Sequence, residues 1–277
     1  MSNPVFSNSD VFGEPRRTAR GGATTAPPRG QAQYGAYGAQ AADAASLQNM
    51  YESPSATPVD TKRLTYTDVI MKTAGLLALL VVVAAATWVI APGLWIFGMI
   101  AGLVLGLVNA FKKNPSPVLI TLYTIAQGVF LGGISRYYES ASSGIVGQAV
   151  LLTLCVFAAA LGLYSSGKVR VTPKFTRFLL IGMVGYLLFS LVNVVLVWTG
   201  VLEGWGMRGG TLGIVIGLFA VVLAAMSLIM DFDFIKRGVE QGVPAKFAWS
   251  AAFGLIVTLV WLYLEILRLL AIMQSSD

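Results

Sequence analysis

The stretch that decides the fold is GTLGIVIGLFAVVLAAMSLIMDFDFIKRG, residues 210–238. Its first 21 residues contain no charged side chain, and charges then come together in its last eight. A helix that crosses the hydrocarbon core of a bilayer needs about 20 mostly apolar residues. The stretch therefore predicts a transmembrane helix that reaches the membrane surface just after Met230.

The rest of the chain contains six more apolar runs of spanning length. The seven predicted spans cover residues 69–90, 93–111, 117–135, 144–165, 177–198, 210–230 and 247–273. The chain is 56% hydrophobic and 12% charged, whereas soluble domains carry about 25% charged residues. We expect an all-α membrane protein whose residues 67–277 form a seven-helix transmembrane bundle in contact with the lipid bilayer.

Residues 1–66 have a different composition, rich in Pro, Gly, Ala, Ser, Thr and Gln, and contain no apolar run of spanning length. Such a segment buries too little apolar surface to offset the entropy that folding costs. We predict a disordered, low-complexity tail. The basic residues of this segment are not followed by an apolar run of the kind found in signal peptides.

The basic residues indicate the orientation of the chain in the membrane. Lys and Arg are concentrated in the tail and in the second, fourth and sixth connections between spans. Positively charged connections stay on the cytoplasmic side. This pattern places the N-terminus in the cytoplasm and the C-terminus outside, unless the last run is re-entrant. It also accounts for the net charge of +6 without a nucleic acid partner.

Glycines recur every four residues in the predicted spans, at Gly98, Gly102 and Gly106 and again at Gly128 and Gly132. Small residues at this spacing let two helix backbones approach closely. A seven-helix bundle has many internal contacts of this kind, so we favour packing within one molecule over dimerisation.

Two acids follow the sixth span. Asp233 has Lys236 and Arg237 three and four residues further on, where a helix brings side chains together. Asp231 has no basic residue at those spacings, which makes it the better candidate for a buried, titrating carboxyl group. The alternative is that both acids lie at the membrane surface and are solvated.

Glu265 lies deeper in an apolar run, and Arg268 follows it at a helical spacing. Ionisable residues inside a span usually face a cavity, a partner or an ion pathway. Glu265 is therefore either half of a structural ion pair or a functional acid.

The sequence does not favour enzymatic chemistry. It contains no histidine, which excludes His-ligated zinc and a His general base. It also lacks the GxSxG motif of serine nucleophiles, the HExxH motif of metalloproteases, the Gly-rich phosphate loop with its following Lys, and the CxxC motif. We expect neither an enzyme nor a bound cofactor.

Three segments together carry a family resemblance: KKNPSPVLITLYTIAQGVFLGGIS at residues 112–135, MDFDFI at 230–235 and WLYLEILRLL at 261–270. In sequence and order they resemble the Bax inhibitor-1 family of seven-helix membrane proteins, in a bacterial member with an added N-terminal tail. The resemblance implies a bacterial plasma membrane location and a pH-sensitive calcium leak.

The resemblance also assigns site residues. Asp231 matches the family's acid at the close of the sixth span, Glu265 matches the acid of the last span, and Lys112 matches a basic latch position. The two family acids lie about two dozen residues apart, whereas Asp231 and Glu265 are 34 positions apart. A hairpin turn near residues 242–244 would set Asp231 opposite Gly254, with Glu265 roughly 16 Å further along. A second register places Thr258 where the second acid belongs.

Two functions are compatible with these features. The first is a pH-sensitive calcium or cation leak channel or exchanger, in which Asp231 meets Lys112 and weakly held Ca²⁺ is the permeant ion. The second is a non-conducting interaction protein that binds membrane proteases or stress machinery through its tail.

Overall fold

The computed structural model describes residues 62–274, which form seven α-helices long and apolar enough to cross a membrane. The helices are α1 (Tyr66–Ile90), α2 (Trp95–Phe111), α3 (Pro117–Ala141), α4 (Ile145–Ser165), α5 (Pro173–Trp198), α6 (Gly210–Glu240) and α7 (Ala248–Gln274). Short 3₁₀ turns precede α2, α6 and α7 at Pro92–Leu94, Gly206–Arg208 and Ala245–Phe247. The predicted fold class is confirmed for this part of the chain.

Local sequence sets several of the helix ends. Thr65 caps α1 in a capping box, because its hydroxyl accepts from the Asp68 amide at 3.1 Å while the Asp68 carboxylate accepts from the Thr65 amide at 3.2 Å. Pro117 and Pro173 occupy the first positions of α3 and α5, where the missing N–H of proline costs no helical hydrogen bond.

Helix α7 lies at the centre of the bundle and packs against α1, α3, α4 and α6. Its residues Ala252, Ile256, Leu262 and Leu267 are fully buried. Helix α5, by contrast, packs mainly on α6 and buries only Leu179 and Asn193. Most of the apolar surface of α5 therefore faces outward, as expected of a helix whose solvent is lipid.

Glycines bring α1 and α2 onto α3. A Cβ added to Gly98 of α2 would lie 2.6 Å from the backbone nitrogen of Phe130 in α3. One added to Gly128 of α3 would lie 2.7 Å from the Cβ of Val83 in α1. Both contacts lie within one molecule, so the predicted role of these glycines in packing the bundle is confirmed.

Two helices run well beyond the C-terminal ends of their predicted spans, by six residues in α3 and ten in α6. Helix α3 continues from Ser135 to Ala141, and α6 continues from Met230 to Glu240. The extra turns of α6 carry ion pairs at helical spacing, Asp233–Arg237 and Lys236–Glu240. Such pairs support a helix, so the helix does not end where its apolar run ends. Asp231 and Asp233 consequently lie inside α6, not after it.

Of the predicted tail, residues 1–66, the part up to residue 61 lies outside the described residues. Its last residues belong to the helical domain. The Leu64 amide donates to the Val243 carbonyl at 2.7 Å, the Ala245 amide donates to the Lys62 carbonyl at 2.8 Å, and Tyr66 begins α1. The segment before α1 is thus tied to the loop between α6 and α7.

One end of the bundle carries most of the cations, and we name it the basic face. It comprises residues 62–65, 112–116, 166–172 and 236–247. Contacts join these segments, since Lys246 donates to the Asn114 side chain at 3.0 Å and Arg237 donates to the Val171 carbonyl at 3.4 Å. The connections at the other end, residues 91–94, 142–144 and 199–209, form the opposite face.

The glycine contacts generate a stability prediction. A Cβ at Gly132 would lie 2.9 Å from the Thr87 Cβ and closer still to the Ala84 carbonyl oxygen. We expect Gly132→Ala to lower the free energy of unfolding by about 1–3 kcal/mol, the usual cost of overpacking. Thermal unfolding in detergent, followed by circular dichroism, measures the effect.

Gly75→Ala in α1 is the matched control, because nothing lies within 4 Å of a Cβ added there. It should leave the midpoint unchanged or raise it, since alanine favours a helix by up to about 1 kcal/mol over glycine. Equal midpoints for the two variants would contradict the packing described here.

Candidate functional site

Asp231 lies on α6, nine residues before Glu240, and faces α7. The Thr258 hydroxyl of α7 donates a hydrogen bond to Asp231 Oδ2 at 2.7 Å. A Cβ added to Gly254, one helical turn earlier on α7, would lie 3.5 Å from Oδ1. The hairpin of α6 and α7 therefore sets Asp231 opposite both Gly254 and Thr258.

The environment of Asp231 sets it apart from the other acids of the bundle. Asp231, Asp233 and Glu265 are the carboxylates that lie more than one turn from a helix end within residues 62–274. Asp233 and Glu265 form ion pairs, whereas no cation lies within ion-pair distance of Asp231 in this part of the chain. Among the described side chains, the Thr258 hydroxyl is the one group that hydrogen-bonds to its carboxylate.

Asp233 points away from Asp231, as residues two apart on a helix do. Its Oδ2 lies 2.6 Å from Arg237 Nε, and its Oδ1 accepts from the Tyr164 hydroxyl at 3.3 Å. The predicted pairing with Arg237 is confirmed. Lys236 pairs instead with Glu240, at 3.8 Å.

Glu265 lies in a separate cluster, which we name the arginine cluster: Tyr186, Arg208, Trp261, Glu265 and Arg268. Arg208 Nη2 lies 3.0 Å from Glu265 Oε1, and Trp261 Nε1 donates to the same oxygen at 3.3 Å. Tyr186 also donates to Oε1, and Arg268 donates to Oε2. The predicted pair of Glu265 with Arg268 is confirmed, and it is buried, with both residues 5% exposed.

The α5–α6 connection positions Arg208. Asn193 Oδ1 accepts from the Met207 amide at 2.7 Å, and its Nδ2 donates to the Trp205 carbonyl at 3.2 Å. Gly206, at φ 59°, makes the turn possible. Tyr186, Trp261 and Arg208 have no assigned role in the sequence analysis. The one available sequence signal was that Arg208 is the single basic residue of the fifth connection, residues 199–209.

The arginine cluster does not make Glu265 a free acid. It holds two arginines and one carboxylate, and Arg208 Nε together with Arg268 Nε and Nη1 is buried without a hydrogen-bond partner in the described residues. Glu265 also lies seven residues beyond Thr258 on α7, roughly 10 Å along the axis. Glu265 and Asp231 therefore do not form a carboxylate pair.

Lys112 is not at the site. It caps the end of α2, is exposed, and has no ion pair within residues 62–274. The expected contact between Lys112 and Asp231 is absent from the structure. The reason is that α2 packs mainly on α3 and forms no extended contact with the α6–α7 hairpin.

The described residues contain no group of three or more His, Cys, Asp or Glu side chains that could hold a metal ion. Asp231 and Thr258 offer one carboxylate and one hydroxyl. Calcium takes six to eight oxygen ligands. The arrangement can therefore attract a cation but lacks the ligands of a tight calcium site.

The order of seven apolar helices and the acid facing α7 fit the resemblance noted in the sequence, and the comparison with family models agrees. The model described as Bax inhibitor 1 like matches residues 3–275. The chain belongs to this family. A search of curated proteins found no match. This Bax inhibitor 1-like chain is accordingly a multi-pass membrane protein.

The arginine cluster of this Bax inhibitor 1-like protein generates a second prediction. Glu265→Gln removes the only carboxylate between Arg208 and Arg268 in the described cluster. Breaking a buried ion pair leaves an uncompensated charge, at a cost of about 3 kcal/mol. We expect a clear fall in the thermal midpoint in detergent.

Two variants control for this effect. Arg208→Gln should cost less than Glu265→Gln, because the Glu265–Arg268 pair stays neutral. Glu203→Gln removes the same charge from an exposed loop position without an ion pair in the described residues, and it should leave the midpoint unchanged. If Glu265→Gln and Glu203→Gln unfold alike, the cluster contributes nothing to stability.

Proposed function

We propose that the protein is a pH-sensitive cation leak channel or exchanger that passes calcium, with Asp231 as the acid on the ion pathway. The observation that carries the proposal is the unpaired carboxylate of Asp231 between α6 and α7. A carboxylate that no cation neutralises is costly inside a span, and such residues commonly mark ion pathways. Family membership supports the same assignment.

The mechanism rests on the charge of one carboxyl group. Ionised Asp231 attracts a cation, and the Thr258 hydroxyl holds the carboxylate toward α7. Protonation removes the charge and with it the attraction. Two side chains supply few of the oxygens that calcium prefers, so the ion is held weakly enough to leave, as conduction requires.

The residues that contact Asp231 differ from those that the sequence hypothesis assigned to it. Thr258 takes the place of a second acid, and the contact with Lys112 plays no part. The arginine cluster has a structural role, because it joins α5, the α5–α6 connection and α7 near the opposite face. No enzymatic activity or bound cofactor enters the proposal.

We expect the protein in a bacterial plasma membrane with its basic face toward the cytoplasm, the N-terminus inside and the C-terminus outside. The support is the clustering of cations at one end of the bundle, which is the side that stays cytoplasmic.

Calcium flux into liposomes, measured between about pH 5 and pH 8, tests the role of Asp231. Wild-type flux should fall as the pH falls, since protonation removes the attracting charge. Asp231→Asn should lower flux at pH 8 by about ten-fold or more and abolish its pH dependence, because a nearby unit charge is worth several kcal/mol to a cation in a protein.

Two variants sharpen the flux experiment. Asp233→Asn makes the same charge change two residues away and should keep the pH dependence. Thr258→Val removes the hydrogen bond to Asp231 but leaves the acid, so pH dependence should persist. Unchanged flux in Asp231→Asn refutes the mechanism. No flux from a folded wild-type sample favours the alternative, a non-conducting protein that binds membrane-protein partners.

Labelling of single cysteines tests the orientation. In a Cys155→Ser background, Ser143→Cys lies on the α3–α4 connection and Ser166→Cys lies on the basic face, and both positions are exposed. A membrane-impermeant maleimide should label Ser143→Cys in intact cells and Ser166→Cys only after lysis. The reverse pattern would invert the proposed orientation.

A further inference from the structure

A cavity of about 1010 Å³ opens between α1, α4 and α6 near the basic face. Helices α1 and α4 both pack on α7 but form no extended contact with each other. The cavity occupies the resulting gap. Its volume lies at the upper end of the range of small-molecule pockets, about 300–1,000 Å³.

The walls of the cavity are apolar and its side is open. Val69, Phe157 and Phe232 contribute to the lining. Ile70 and Leu161 also line it, yet they remain 63% and 43% exposed. Because these residues lie within membrane-spanning helices, the opening between them faces the bilayer, so the molecules with direct access are lipids.

The end of the cavity at the basic face is cationic. Arg170 and Lys236 lie in its lining. The one acid there, Asp233, is already paired with Arg237 at 2.6 Å. Lys236 has only an exposed contact with Glu240 at 3.8 Å, and exposed pairs of this kind are weak. The rim therefore carries positive charge that is available to an anion.

Thr73 adds a polar group on the wall of the cavity. Its hydroxyl oxygen is buried and has no hydrogen-bond partner in the described part of the chain. The cavity thus combines a basic mouth, one polar group and an apolar interior.

We infer that this cavity binds an anionic glycerophospholipid, with the phosphate at Arg170 and Lys236 and an acyl chain between α1 and α4. Basic pockets between transmembrane helices on the cytoplasmic side hold acidic lipid headgroups. A zwitterionic lipid carries a cationic group that this rim disfavours. The inference does not depend on ion conduction.

Native mass spectrometry of the full chain in detergent tests this inference, with phosphatidylglycerol and phosphatidylcholine of identical acyl chains as probes. We expect phosphatidylglycerol to be retained preferentially. The double variant Arg170→Gln/Lys236→Gln should weaken that binding by up to about 25-fold, at roughly five-fold for each cation. Ala74→Trp, which places an indole ring in the lining, should reduce binding of the lipid with the cations intact.

The matched control is Lys168→Gln/Lys174→Gln, which removes the same charge from neighbouring residues outside the cavity lining. It should leave phosphatidylglycerol binding unchanged. Equal retention of phosphatidylcholine, equal effects of the two double variants, or equal binding of glycerol 3-phosphate without acyl chains would each overturn the inference. Lipid binding that appears only after residues 1–61 are removed would also overturn it, by assigning the cavity to the chain's own N-terminal segment.

Discussion

Helix α7 passes through the centre of a bundle whose outer solvent is lipid, so a buried polar side chain on it is costly unless it is paired. Thr258 donates to Asp231 of α6, Tyr263 shares a 2.7 Å hydrogen bond with Ser135 of α3, and Glu265 meets Arg208 and Tyr186. These contacts fix the rotation of α7 about its axis. That rotation sets Thr258 against Asp231 and Glu265 against Arg208.

Asp231 and Glu265 have opposite environments because different residues surround them near the two faces of the bundle. Near the basic face, α6 and α7 leave Asp231 with a hydroxyl group and the bare backbone of Gly254. Near the opposite face, the α5–α6 connection brings Arg208 onto Glu265. Asp231 has no ion pair within residues 62–274, while Glu265 pairs with Arg208 and Arg268. Helix α7 thus contacts an acid without an ion pair through Thr258 and, about two turns further on, carries an acid held by two arginines.

Helices α1, α4 and α5 leave part of their apolar surface uncovered by other helices. Helices α1 and α4 are both held by α7, and the gap between them becomes a cavity open to lipid. Helix α5 contacts mainly α6 and presents most of its surface outward. In water such gaps and faces would be costly, but lipid chains are as apolar as the side chains that line them. A membrane therefore tolerates packing at these places that water would not.

The sequence by itself determined the seven spans, the glycine contacts and the ion pairs within a helix, Asp233–Arg237 and Glu265–Arg268. These features follow from apolar length and from the 3.6-residue period, which are local properties. Only the tertiary structure decided that Thr258 meets Asp231, that Arg208 and Tyr186 reach Glu265, and that Lys112 stays apart. Such contacts depend on which helices are neighbours and on their mutual rotation, and a periodic pattern carries no information about either. The extension of α6 to Glu240 was missed for a related reason, since its last turns are supported by charge pairs in place of apolar length.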